Sequence, residues 1–168
     1  MAWTALEGDV ALADVEIESA ATTPRTFSEL YEREFVPLVR LATLLVGRAD
    51  TARDVVQDAF VRLHVKWPTV RDPLAYVRRS VVNGCRSQRR WERRRHVDDA
   101  LLEASADLDV DHTLAALQAL PHRPRAAIVM KFYEGRTERE IAGVLGCREG
   151  SVGPMVHRAL ESLRRELT

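Results

Sequence analysis

Tyr76, Arg79, Ser80, Asn83, Ser87, Arg90 and Arg94 fall on one broad stripe of a helix, opposite the apolar Leu74, Val77, Val81 and Cys85. These residue types together suggest one chemistry. A ring stacks on an unpaired base, a carboxamide hydrogen-bonds a base edge, and guanidinium groups hold phosphates. A solvated charged face would account for the arginines alone. It gives no reason for ring, amide and guanidinium to share a stripe, so contact with nucleic acid is expected here. The arginines between Arg78 and Arg95 are the expected phosphate ligands.

A second constellation begins at Arg136: RTEREIAGVLGCREGSVGPMVHRALESLRREL. Thr137 with Glu140 fits a capping box that starts a helix. Ile141, Ala142 and Leu145 give that helix a short apolar face, and Gly146 suits a tight turn. Ser151 can cap a second helix carrying Val152, Val156, Leu160 and Leu163. Small Ala142, turning Gly146 and inward Val152 have the spacing of a helix-turn-helix, whose two helices must cross closely. A plain helical hairpin would not require that arrangement, so duplex DNA is the expected ligand.

A third stripe is of another kind. Asp54, Gln57 and Asp58 share the polar side of a helix over 51–66 with Val61 and Val65. Carboxylates beside exposed valines suit docking on a partner protein. Exposed valines also occur by chance, and alone the stripe is a weak signal.

Catalytic signals are poor. His64, His96, His112, His122 and His157 show no metal-ligand spacing with one another or with Cys85 and Cys147, and no nucleophile or phosphate-loop motif is present. The expectation is a protein that is not an enzyme and needs no cofactor or metal.

These stripes need helices to hold them, and the sequence provides helical periodicity throughout. The chain has 168 residues, 46% of them hydrophobic and 30% charged. Aromatics are 6%, alternating β-branched runs are absent, and no apolar run approaches a membrane span. Two cysteines fit a reducing cytoplasm. An all-α fold is expected.

Phe27, Tyr31, Phe35, Leu38, Ala42 and Leu45 mark a first helix that stops at Gly47, with Pro37 expected to kink or break it. Asp50 is expected to cap the second helix, which ends at Pro68. Asp72 and Pro73 restart the chain as a third helix, carboxylate at the cap and proline at the first position. Leu114, Leu117 and Leu120 open a second helical region, punctuated by Pro121 and Pro124 and continued by Ile128, Val129 and Phe132.

The formal net charge of zero hides segregation. Residues 1–25 carry five carboxylates against one arginine, and 71–95 carry nine arginines against two carboxylates. Residues 96–111 carry six carboxylates and no Lys or Arg. Such blocks suggest a polyanion-binding surface flanked by acidic tethers. The organisation expected is an acidic, disordered tail (1–25), a helical module (26–95), an acidic linker (96–112) and a second helical module (113–168). A tail folded over a basic face as a DNA mimic is the alternative to a solvated one.

Two segments together carry a resemblance. DVVQDAFVRLHVKW followed by DPLAYVRRSVVNGCRSQRR looks like region 2 of an RNA polymerase sigma factor, and LQALPHRPRAAIVMKFYEGRTEREIAGVLGCREGSV looks like region 4. With both regions and no third between them, the chain resembles the extracytoplasmic-function (ECF) sigma factors, most of all the actinobacterial SigE-like group.

The resemblance implies roles. Asp54, Gln57, Asp58 and Val61 match positions that dock on the β′ clamp helices of core RNA polymerase. Trp67, Tyr76, Arg79, Asn83, Arg86 and Arg90 fall in the segment that melts the minus-ten element and captures a flipped base. Arg136, Thr137, Arg148, Ser151, His157 and Arg158 belong to the module that reads the minus-thirty-five element. The partners implied are core polymerase (β′ clamp and β flap), promoter DNA and an anti-sigma factor, with no membrane.

One departure stands out: Gly153, Pro154 and Met155 replace the usual basic, serine and basic residues of the recognition helix. That implies weaker or altered minus-thirty-five reading. The rival readings are a stand-alone helix-turn-helix regulator and a helical anti-sigma or adaptor protein.

Overall fold

The computed structural model describes residues 26–95 and 108–167, in which every regular element is helical. The order is α1 (Phe27–Val46), α2 (Ala49–Lys66), α3 (Pro73–Arg95), α4 (Leu108–Ala119), α5 (His122–Ile128), α6 (Glu138–Leu145) and α7 (Val152–Leu167). A 3₁₀ turn at Trp67–Thr69 follows α2, a π-helical turn at Val129–Tyr133 follows α5, and a 3₁₀ turn at Glu149–Ser151 precedes α7.

Local chemistry sets the helix ends. Thr26 and Glu29 form a reciprocal capping box at the start of α1, and Gly47 closes it at φ 86°. Pro37 does not break α1. It sits on the exposed side of the helix, away from the packed core. The second helix begins earlier than expected: Arg48 is its N-cap, without a side-chain bond, and Asp50 lies inside the first turn. There its carboxylate favours the positive end of the helix dipole instead of capping it. Asp72 does cap α3, its Oδ1 accepting from the Ala75 amide at 3.0 Å, with Pro73 first in the helix.

The segment expected as linker turns helical at Leu108, because 108–119 has no glycine or proline and is rich in leucine and alanine. The acidic tail and residues 96–107 lie outside the described residues.

Helices α1, α2 and α3 pack around Leu30, Leu38, Leu41, Leu45, Val56, Phe60, Leu63, Val77 and Val81, all at most 2% exposed. α2 and α3 approach so closely at Gly84 that a Cβ there would lie 2.8 Å from Val55 Cγ1. Helices α5, α6 and α7 bury Ala126, Ala127, Met130, Ile141, Val152 and Val156. Phe132, expected to continue that apolar pattern, is 61% exposed, because the π-helical turn rotates it outward.

The two groups of helices are in contact. α1 meets α4 and α5, and α3 meets α6. Arg125, wholly buried on α5, donates to the Leu45 carbonyl of α1 and to the carbonyls of Gln118 and Leu120. Gln118 in turn donates to the Leu44 carbonyl at 2.8 Å.

Candidate DNA-contact and partner-docking faces

The outer face of α2 presents Asp54, Gln57, Asp58 and Val61 to solvent, with Val61 64% and Val65 77% exposed. Beside them runs an open groove of about 540 Å³ whose floor is aromatic: Phe27, Tyr31 and Phe60, with His64 at its rim. The rings interlock, Phe27 edge-on to His64 at 4.8 Å and Tyr31 edge-on to Phe60 at 4.9 Å. Phe27 and Tyr31 lie on the apolar face expected of the first helix and are only partly buried. Their one-turn spacing on α1 carried no sign that α2 would leave them half uncovered.

The opposite flank of α2 meets α3 in a polar cleft of about 430 Å³. Asn83, Ser80, Ser87 and Gln88 line it from α3, and Asp58 and Arg62 from α2. Asp58 thus borders both the groove and the cleft. Arg62 was not singled out, because only the crossing of two helices brings it to Asn83. Tyr76 lies half-buried one end along, with Lys66 Nζ 5.8 Å from its ring centroid. Trp67 is half-buried edge-on against Phe27 at 5.6 Å. Arg86 and Arg90 are exposed further down α3.

Not every arginine of the block faces outward. Arg78 is 6% exposed, its Nη2 3.8 Å from Glu34 and 3.5 Å from Glu134. It cannot serve a phosphate as the charge run suggested, because two carboxylates already hold it inside. Arg79 donates to the Gly143 carbonyl of α6 at 2.5 Å, and Arg89 donates to the side chain and backbone of Gln118. The side chain of Arg94 lies outside those described.

The helix-turn-helix forms as its spacing required. Thr137 accepts from the Glu140 amide while the Glu140 carboxylate accepts from the Thr137 N–H at 2.9 Å and hydroxyl at 2.8 Å. Those bonds, helped by Arg136 at 2.9 Å, hold the Glu140 carboxyl down at about 2. Thr137 is therefore committed to its cap and Arg136 to Glu140. Gly146 makes the turn at φ 61°. Ser151 departs from expectation: its hydroxyl donates to the Arg148 carbonyl inside the 3₁₀ turn instead of capping α7. Arg148, His157 and Arg158 are exposed, with His157 Nε2 3.4 Å from Glu161. A Cβ built on Gly153 would stand 3.4 Å from both Glu138 carboxylate oxygens.

Two stretches of the chain match known families. Residues 30–95 match Sigma-70 region 2, and residues 113–163 match Sigma-70, region 4. RNA polymerase sigma-E factor of Streptomyces avermitilis is 30% identical over 154 residues, 84% of each chain. The chain belongs to the RNA polymerase sigma factors of the ECF type. ECF sigma factor SigL of Mycobacterium tuberculosis is 30% identical to this sigma factor over 164 residues, 89% of this chain and 93% of that one.

Its fold is likewise that of solved sigma factors. RpoE, in complex with the anti-sigma factor NepR from Bartonella quintana, superposes with a TM-score of 0.70 at 25% identity, over 84% of this chain and 96% of that one. CnrH, in complex with the cytosolic domain of CnrY, gives 0.67 at 26% identity, over 84% and 86%. Helices α1 to α3 carry the region 2 match and α4 to α7 the region 4 match. No helix among the described residues is long and apolar enough to cross a membrane.

Proposed function

We propose that this sigma factor docks on core RNA polymerase through the Asp54, Gln57, Asp58 and Val61 face of α2, seated on the β′ clamp helices. Region 4 reaches the β flap. Tyr76, Asn83, Arg86 and Arg90, with Trp67 at the entry of α3, receive the opened minus-ten strand. Arg148, His157 and Arg158 meet the minus-thirty-five duplex. The cytoplasm, where polymerase works, is its location, and it acts without a cofactor or catalytic chemistry of its own.

One observation carries this reading. Asp58 borders both the acidic–apolar groove and the Asn83 cleft. A polymerase helix on one flank of α2 would leave the unpaired strand on the other, so docking and strand capture use one rigid element. The RpoE and CnrH structures, each with its anti-sigma partner, support an anti-sigma factor as a further ligand of this chain.

Co-elution with core polymerase tests the docking face. Asp54→Arg with Asp58→Arg reverses two exposed charges, so the chain stays folded while like-charge contact weakens docking by roughly 2 kcal/mol or more. The wild type should co-elute and the variant should not. Equal co-elution of both would refute this face.

A further inference from the structure

We propose that Arg86, Arg89 and Arg90 of α3, with His122 of α5, form a binding site for a small anion that carries two adjacent phosphoryl groups. The binding itself stands on these residues alone. What the anion competes with, the opened promoter strand, rests on the sigma-factor reading.

The residues converge on one concavity. α3 brings three guanidinium groups to one side of a pocket of about 310 Å³, and Pro121 and His122 close the other side at the start of α5. Arg86 and Arg90 are exposed, and neither has an ion-pair or hydrogen-bond partner among the described residues. Arg89 is half-buried and positioned by Gln118, to which it donates from both terminal nitrogens. No carboxylate among the described residues lines the pocket. Elsewhere the arginines between modules and at caps face carboxylates: Arg78 has Glu34 and Glu134, and Arg136 has Glu140. Arg86 and Arg90 lack any such counter-charge.

His122 records the same imbalance independently. Both its ring nitrogens are shielded from water and neither completes a hydrogen bond, although the Val82 carbonyl favours a proton on the ring. Burial, then the charges of Arg86 and Arg89, keep the imidazole neutral well below its usual range. A neutral imidazole still has one N–H to donate. An anionic oxygen supplies the missing acceptor and offsets the guanidinium charges that surround the ring. Phosphoryl oxygens match this set, because they accept charge-assisted and bidentate bonds from arginine. Arg86 and Arg90 stand one helical turn apart, roughly 5–6 Å between Cβ atoms. Two linked phosphoryl groups give each of these guanidiniums a group of its own.

Promoter DNA does not fill the pocket in this form. One wall belongs to region 2 and the other to region 4. On the reading above the two regions meet separate promoter elements, so a chain spread along a promoter parts His122 from the α3 arginines. The small anion is therefore a ligand of the free chain. It draws on Arg86 and Arg90, which the opened strand also needs, so anion and strand exclude each other.

Titration calorimetry of the full chain with sodium pyrophosphate tests the site. Saturable binding of one anion per chain is expected, with inorganic phosphate binding more weakly. Arg90→Gln and His122→Phe should each weaken pyrophosphate binding by about tenfold or more, the loss of one bond to a charged group. Arg53→Gln, which removes an exposed charge from α2 outside the pocket, should bind as the wild type does. No saturable heat, or equal weakening by Arg53→Gln and Arg90→Gln, overturns the site. Equal affinity for phosphate and pyrophosphate overturns the two-phosphoryl assignment.

Competition separates this proposal from the sigma-factor reading. Fluorescein-labelled single-stranded DNA of random sequence should be displaced from the wild type by pyrophosphate at constant ionic strength. His122→Phe should bind the strand equally well and need about tenfold more pyrophosphate to release it. Release of both chains at the same pyrophosphate concentration overturns the site. A wild type that binds pyrophosphate in calorimetry but no single strand keeps the site and refutes strand capture by α3.

Discussion

Arg125, wholly buried on α5, donates from Nη1 to the backbone carbonyl of Leu45 at the end of α1, 2.5 Å away. The same guanidinium serves Gln118 and Leu120, so one side chain fills the acceptors at the C-terminal ends of two helices. Arg125→Leu would leave those carbonyls buried and unbonded. A loss of roughly 3 kcal/mol is expected, several buried acceptors each costing ~1–3 kcal/mol. Urea denaturation measures it; a loss below about 1 kcal/mol would mean that water replaces the guanidinium.

Asn83→Ala and Tyr76→Ala should separate on two templates. Asn83 lines the α2–α3 cleft, whereas Tyr76 is a half-buried ring beside Lys66. Loss of a stacking surface costs roughly 1–3 kcal/mol per base. A promoter already opened by mismatches removes the unpairing cost, so it should partly restore transcription by Tyr76→Ala. It should not restore sequence preference to Asn83→Ala, because no amide remains to read the base edge. Equal loss by both variants on both templates would indicate misfolding.

Much of this was legible because it is local. The Thr137–Glu140 box, the Asp72–Pro73 start, and the turns at Gly47 and Gly146 depend on neighbours within a few residues. Pro37 and Asp50 were misjudged for equally local reasons. Solvent tolerates the proline, and a carboxylate in a first turn resembles one at a cap. Arg78, Arg79, Arg89 and Arg125 were not legible, because their partners are distant in sequence: Arg79 and Gly143 are 64 residues apart, Arg125 and Leu45 are 80. A charge run records how many arginines there are and says nothing of which ones a second module will cover. Arg62 escaped for the same reason. The family resemblance identified the modules but not their contact.

Gly153 lies against Glu138, whose carboxylate already accepts from Lys131 Nζ at 2.9 Å. Gly153→Lys fits at ordinary contact distance and gains helix propensity of about 1 kcal/mol. Glu138 should nonetheless compete with phosphate for the new ammonium. Promoter binding should tighten little in Gly153→Lys and more in Gly153→Lys with Glu138→Gln, and the double variant's log–log salt slope should steepen by ~0.9. Fluorescence anisotropy over a salt series with a minus-thirty-five duplex checks this. An identical slope in the two variants would show that Glu138 does not capture the lysine.

His122 makes stability depend on pH. Burial, then the charges of Arg86 and Arg89, hold its pKa down at about 4, against 6.5 when solvated. Between those values the unfolded chain binds the proton and the folded chain does not. Stability therefore falls as pH drops from about 6.5 towards 4 and is level, for this group, above 6.5. His122→Gln should lessen the fall between pH 7 and 5 in chemical denaturation. An unaltered fall in the variant would assign it to other groups.

Reconstituted run-off transcription tests the central claim most directly. Core polymerase, lacking any other sigma factor, is given promoter fragments from the source genome, with wild-type chain or with Asp54→Arg, Asp58→Arg. The account predicts discrete transcripts from a subset of fragments with the wild type and none with the variant. Wild-type chain that binds duplex fragments alone, yet never directs core polymerase to a start site, would contradict it.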